Sequence, residues 1–205
     1  MKAILAFGLA AGLLIPSQGM AAPAATAGQT AEQGSPAGRR AELRERLFAA
    51  LAAAPTEAQG RAVEDEIWRF WLDLAPDPDT RRLVDEAMDL RESYDFAGAE
   101  ALLDDAVARA PDYAEALNQR AFVRFLREDD EGAEADLLRA LELEPNHFGA
   151  LSGLFHVLMR GGRAEQATAA LVRAVSIHPW LKERHMLPPD PNAGRPPIVD
   201  REQDL

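Results

Sequence analysis

The chain has 205 residues, 47% hydrophobic and 27% charged, with 22 basic residues against 34 acidic ones and a formal net charge of −12. That length suits one folded domain of ordinary size and not two large ones, and the acidity argues against nucleic acid or an anionic membrane surface as a partner. The absence of cysteine excludes disulfide scaffolds, CxxC redox chemistry, thiolate zinc sites, cysteine nucleophiles and lipoprotein anchoring through an N-terminal cysteine.

Residues 1–22 have the three zones of a secretory signal peptide: one positive charge at Lys2, an apolar run from Ala3 to Ile15, and the sequence Pro16-Ser17-Gln18-Gly19-Met20-Ala21-Ala22. The apolar run is too short for a stable transmembrane helix, and its alternative is a short helix packed on the domain. Cleavage near Ala21 or Ala22 would remove Lys2 and make the mature chain slightly more acidic. Residues 23–38 are Ala, Thr, Gly, Gln, Ser and Pro with a single charge, the composition of a flexible tether. The basic residues are Arg almost throughout, since Lys2 and Lys182 are the only lysines, and Ala is abundant. This is the bias of GC-rich bacterial coding sequence.

A helical pair is expected over 39–78, from Arg39 to Ala53 and from Glu57 to Leu74. Thr56 and Gln59 form a capping-box pattern at the start of the second helix. Ile67, Trp68, Phe70, Trp71 and Leu72 make a heavy apolar cluster. It reads either as core or, through Trp68 and Trp71, as an exposed docking patch.

An internal repeat follows. Pro111, Pro145 and Pro179 recur every 34 residues, and the same interval links Ala99, Ala133 and Ala167, then Leu103, Leu137 and Leu171, then Ala106, Ala140 and Ala174. Leu83, Leu117 and Leu151 keep register at the start of each unit. Each unit reads as two amphipathic helices. In the middle one, Asp112 with Glu115 suggests a capped helix from Tyr113 to about Arg127, and the acidic turn Glu128–Glu131 leads to a second helix that Pro145 ends. Gly161-Gly162 separates the helices of the third unit.

These columns resemble the tetratricopeptide repeat family, over about residues 80–181. Departures occur at Leu90, Arg124 and Leu158, where the family often has an aromatic, and at Phe155, where it favours a small residue. The resemblance implies an all-α fold, a right-handed α-α superhelix of three helix–turn–helix units (about 80–113, 114–147 and 148–181). The pair at 39–78 is then a degenerate hairpin expected to cap the open face of the first unit, since solenoid ends need covers. Residues 182–205 are expected to give a short cap, from Trp180, Leu181 and Met186, and then a proline-rich disordered tail.

The resemblance further implies a concave groove, lined by the first helix of each unit, that binds a partner protein or peptide. Helical spacing places Arg81, Val84, Asp85, Met88 and Arg91 of the first unit on that face, with Asn118, Gln119, Phe122 and Phe125 of the second and Ser152, His156 and Met159 of the third. Phe122 and Phe125 have packing between helices as their alternative. Relatives that clamp a chaperone's C-terminal carboxylate use Lys, Asn and Arg at positions that here are Val84, Met88, Gln119, Gly149 and Gly153, so that clamp's cations are missing.

No catalytic, cofactor or metal site is expected. His147, His156, His178 and His185 have no HExxH spacing, GxSxG elbows and phosphate loops do not occur, and Glu128–Glu131 lacks the alternation of a calcium loop. The resulting expectation is a non-catalytic, periplasmic adaptor with a protein or peptide partner. Its alternative is a structural subunit of an envelope complex or of a homo-oligomer, associating through aromatic-rich end caps.

Overall fold

The computed structural model describes residues 35–189; the expected signal peptide, residues 23–34 of the expected tether and the tail from 190 lie outside the described residues. The chain divides into two compact units after Arg40. Of the first, only residues 35–40 are described. The described elements are α1 (Pro36–Ala53), α2 (Glu57–Leu72), α3 (Pro78–Glu92), α4 (Phe96–Arg109), α5 (Ala114–Leu126), α6 (Asp130–Leu143), α7 (Phe148–Arg160), α8 (Ala164–Ile177) and a 3₁₀ turn, Lys182–Met186. Helix α1 starts three residues before the expected Arg39, because Pro36 suits a first helical position and Ser35 Oγ accepts the Gly38 N–H at 2.9 Å.

Helices α3–α4, α5–α6 and α7–α8 form three stacked pairs of a superhelical solenoid, in which each helix packs on the next and the first helices meet one another, α3 with α5 and α5 with α7. The alanine columns explain the closeness. Ala99, Ala106, Ala133, Ala140, Ala167 and Ala174 are all fully buried at the crossings, and Leu103, Leu137 and Leu171 fill the space between pairs. The bulky Phe155 of the third pair is also buried in that core.

One device turns the chain within every pair. Tyr94, Glu128 and Gly162, again 34 apart, have φ of 65°, 66° and 73°. The N–H groups of Asp95, Asp129 and Arg163 each bond the carbonyl five residues back, at 2.9 Å, as in a Schellman ending. Asp95 and Asp129 then cap the next helix through Gly98 and Gly132, whereas Arg163 makes no such cap. The third pair has glycine in the left-handed position where the first two place a side chain.

The start of α5 differs from the expected capping box. Tyr113 occupies the cap position without a side-chain cap bond, and Asp112 pairs instead with Arg139 at 2.7 Å. Glu115 turns inward and is buried, because it has partners there that a surface cap would leave unmet.

The N-terminal hairpin is the larger correction. It does not sit as a cover on the first pair: α2 lies like a strap along the row of loops between pairs, in reverse chain order. The Leu72 carbonyl accepts from Tyr113 Oη at 2.9 Å. The preceding residue, Trp71, stacks on His147, ring centroids 3.8 Å apart, and Trp68, one turn back, meets Phe148 edge-on at 5.5 Å. Further back, Glu64 reaches His178 at 3.2 Å and Glu57 reaches Arg184 at 3.0 Å. Helix α1 supports the strap through Leu47, Leu51 and an Arg44–Glu144 pair whose Nε–Oε2 distance is 2.8 Å.

Two glycines make this close approach possible. A Cβ on Gly149 would lie 2.3 Å from Trp68 Cη2, and one on Gly60 would lie 2.4 Å from Trp180 Cδ1. Trp180 also donates its indole N–H to the Ala54 carbonyl at 2.9 Å. The C-terminal aromatic expected to cover α8 therefore closes on the strap. Trp71 is core, not an exposed patch.

A left-handed non-glycine residue costs about 1–2 kcal/mol, against about 0.5–1 kcal/mol for glycine's extra chain entropy. Glu128 is exposed at such a position. Glu128→Gly is therefore expected to raise stability by up to about 1 kcal/mol in urea unfolding. A fall in stability would show that the turn has no such strain.

Candidate functional site

Strap and solenoid flank an open cavity of about 550 Å³. Helix α2 provides Glu64, Trp68 and Leu72 on one side, and α3, α5 and α7 provide the floor and far wall. Leu181, Lys182 and Glu183, where the chain leaves α8, close the end. Phe122 stands 47% exposed in this wall, whereas Phe125 is half-buried. Arg160 holds Phe125, its guanidinium 3.8 Å from the ring centroid and bonded to Asp130 and to the Phe125 carbonyl.

A hydrogen-bonded chain runs from the cavity wall into the core. His147 Nδ1 accepts the Ala150 N–H at 3.2 Å, which leaves Nε2 to donate to Glu115 Oε2 at 2.9 Å. Gln119 Nε2 donates to Glu115 Oε1 at 2.6 Å, and Gln119 Oε1 accepts from Arg91. Glu115 thus has histidine and amide donors in place of water, the condition under which a buried carboxylate is tolerated. The Arg91 guanidinium lies over Phe122, 4.9 Å from the centroid, and burial lowers its pKa from the usual guanidinium value.

The other two acids of the wall also meet histidines. The nearby His178, 3.2 Å away, holds the Glu64 carboxyl below the usual carboxylate range, and His156, 3.7 Å away, does the same for Glu183. Among the described residues, no group of three or more His, Cys, Asp or Glu side chains is placed to hold a metal ion. No described helix is long and apolar enough to cross a membrane.

Compared with known proteins, the chain matches no family model. It is 39% identical over 77 residues to a protein of Rhizobium etli described as TPR repeat-containing, a match that covers 38% of this chain and 38% of that one. It therefore spans well under half the length of that curated relative. That match and the 34-residue helix pairs seen here agree. The chain carries tetratricopeptide repeats. Solved structures similar to it include a mutant O-GlcNAc transferase of Thermobaculum terrenum, at 25% identity and a TM-score of 0.48 over 49% of this chain and 19% of that one. Another is MamA of MSR-1, at 17% identity and a TM-score of 0.45 over 69% of this chain and 78% of that one.

Within this tetratricopeptide array, Met88, Arg91, Asn118, Gln119, Phe122, Phe125, Ser152 and His156 line the cavity together. Arg81, Val84 and Met159 do not. Val84 is fully buried between α3 and its neighbours. Arg81 is taken up by Asp73 at 2.7 Å and Asp85 at 2.8 Å, beside a separate shallow depression at the α2–α3 turn. Met159 lies 44% exposed outside the lining. Helical spacing alone treated the whole length of each first helix as groove. The strap takes up the loops at one end, and the cavity lies beside it.

The residues that sequence reasoning missed are the strap's Glu64, Trp68 and Leu72, the buried Glu115, and the Lys182–Glu183 corner. A signal existed for Glu115: an acid three and four residues before Asn118 and Gln119, with a histidine in the next unit's loop.

Glu64's depressed pKa has a definite sign. The group contributes stability above its usual value near 4.5, and this is lost as pH falls through its lower folded value. Strap protection in hydrogen exchange is therefore expected to hold at neutral pH and weaken on acidification below about 4.5. Glu64→Gln is expected to flatten that dependence, and an unchanged profile would show that the Glu64–His178 contact does not hold the strap.

Proposed function

We propose that this protein is a non-catalytic adaptor that holds a segment of a partner protein in the cavity between strap and solenoid. The observation carrying this reading is an open, largely apolar groove with the exposed Phe122 and the cationic Arg91 side by side in its wall. Exposed aromatics beside arginine are the side chains that most often anchor an interface, and large apolar groups left at a concave surface mark a binding site. The repeat fold agrees with this, since stacked helix pairs serve as protein-interaction scaffolds.

The N-terminal pattern of Lys2, the Ala3–Ile15 apolar run and the small residues to Ala22 supports export, and a periplasmic location is part of the proposal. Association through the aromatic ends has less support. Trp71 is buried under the array, Trp180 is bonded to Ala54, and Trp68 faces the groove.

Because Phe125 is braced in the core, Phe122→Ser is the cleaner variant. The test is a crosslinked pull-down from the native envelope fraction with the full chain and with Phe122→Ser, shown by circular dichroism to keep its helices. Loss of a hot-spot aromatic costs about 2 kcal/mol or more, so capture of the groove partner is expected to fall at least about tenfold. Equal capture by both would overturn the groove as the working surface.

A further inference from the structure

We infer that the groove selects an apolar peptide segment carrying a basic side chain, whose cation is taken up by Glu64 of the strap and Glu183 of the corner that closes the cavity. This rests on the groove being the binding surface and concerns what it selects.

The acids of the cavity wall are paired differently from comparable acids elsewhere. Outside the cavity, the largely buried side chains of Glu100, Glu134, Asp136 and Glu144 each have an arginine within ion-pair distance. Glu64, Glu115 and Glu183 line the cavity and are as deeply set, but among the described residues their ion-pair neighbours are His178, His147 and His156, at 3.2, 2.9 and 3.7 Å. A histidine that donates to a carboxylate favours its charged form and does not cancel the charge. Glu64 and Glu183 are accordingly held below the usual carboxylate range and stay ionised at neutral pH.

The cations of the wall do not offset them. Arg91 stands at the far end over Phe122, where Glu92 and Glu115 already act on its charge. Lys182 is exposed and forms no ion pair. Three carboxylates against two cations leave the wall negative, within a chain of net charge −12. Both part-exposed carboxylates also keep room for a donor. Glu64 accepts the Trp68 indole N–H at 3.5 Å and Glu183 is bonded to Ser152, whereas a carboxylate offers about four acceptor sites. Because the fold has already drawn these acids partly out of water, a ligand's ammonium or guanidinium meets them with little further desolvation of the protein. Trp68, one turn from Glu64, adds an aromatic ring to the same end, and Leu72, Met88 and Phe122 offer apolar contact to the flanking residues.

The experiment is selection of random twelve-residue peptides displayed on phage against the full-length chain, with Phe122→Ser as counter-target. The selected peptides are then resynthesised with each Arg replaced by citrulline and each Lys by acetyl-lysine, which keep the length of the side chain and remove its charge. The expected result is enrichment of a basic residue next to apolar ones, a loss of affinity of about fivefold or more on neutralisation, and a smaller loss when the target is Glu183→Gln. Neutralising the peptide requires no change in the protein, so this part holds even if Glu183→Gln folds poorly. Peptides that depend on Phe122 but bind equally well without their positive charge would overturn the inference and leave the groove reading standing. Failure to select any peptide over the counter-target would overturn both.

Discussion

Gly149 has no side chain where Trp68 needs the space, and much of the molecule depends on that seat. With the indole against the start of α7, Trp71 stacks on His147 and α2 lies along the loops instead of over the first helix pair. Gly60 mirrors the arrangement by receiving Trp180 from the end of the array. The two tryptophan–glycine contacts, one from the strap and one to it, fix the two long elements against each other at both ends. The ion pairs Glu57–Arg184 and Arg44–Glu144 lie around these apolar seats. Partly exposed pairs of this kind are worth little alone, and they set register more than stability.

The strap turns a repeat surface into a pocket. A stack of helix pairs offers a shallow face. Here α2 and the Leu181–Glu183 corner wall it on two sides, so the first helices expose only the part of their length that the strap does not cover. His147 belongs to both systems: one ring face stacks on the strap, and Nε2 donates to Glu115 under the groove floor. A change in the strap would therefore reach the polar chain that ends at Arg91.

The array itself was legible because repetition samples the same physics three times. Each pair needs small residues at its crossing and a proline at its end, so the alanine and proline columns recur at 34 residues and stand out from an alanine-rich background. Eight of the groove residues followed from helical spacing applied to that register. The strap's position was not legible, since it occurs once and its contacts join residues as distant as Ala54 and Trp180. Local spacing misled at Glu115, where an acid three residues after Asp112 fits a capping box but a histidine 32 residues on claims it. The left-handed residues at Tyr94 and Glu128 were hidden for another reason: only the third pair marks that position with glycine.

The most direct test of the seated strap is a double-mutant cycle on Trp68 and Gly149 by urea unfolding. In the otherwise unchanged chain, Gly149→Ala is expected to cost about 1–3 kcal/mol, because the added methyl group meets a rigid indole. With Trp68→Ala already in place the methyl group has room, and most of that cost is expected to disappear. Costs that add to within about 0.5 kcal/mol would show that the two residues do not touch, and would contradict both the strap and the pocket it forms.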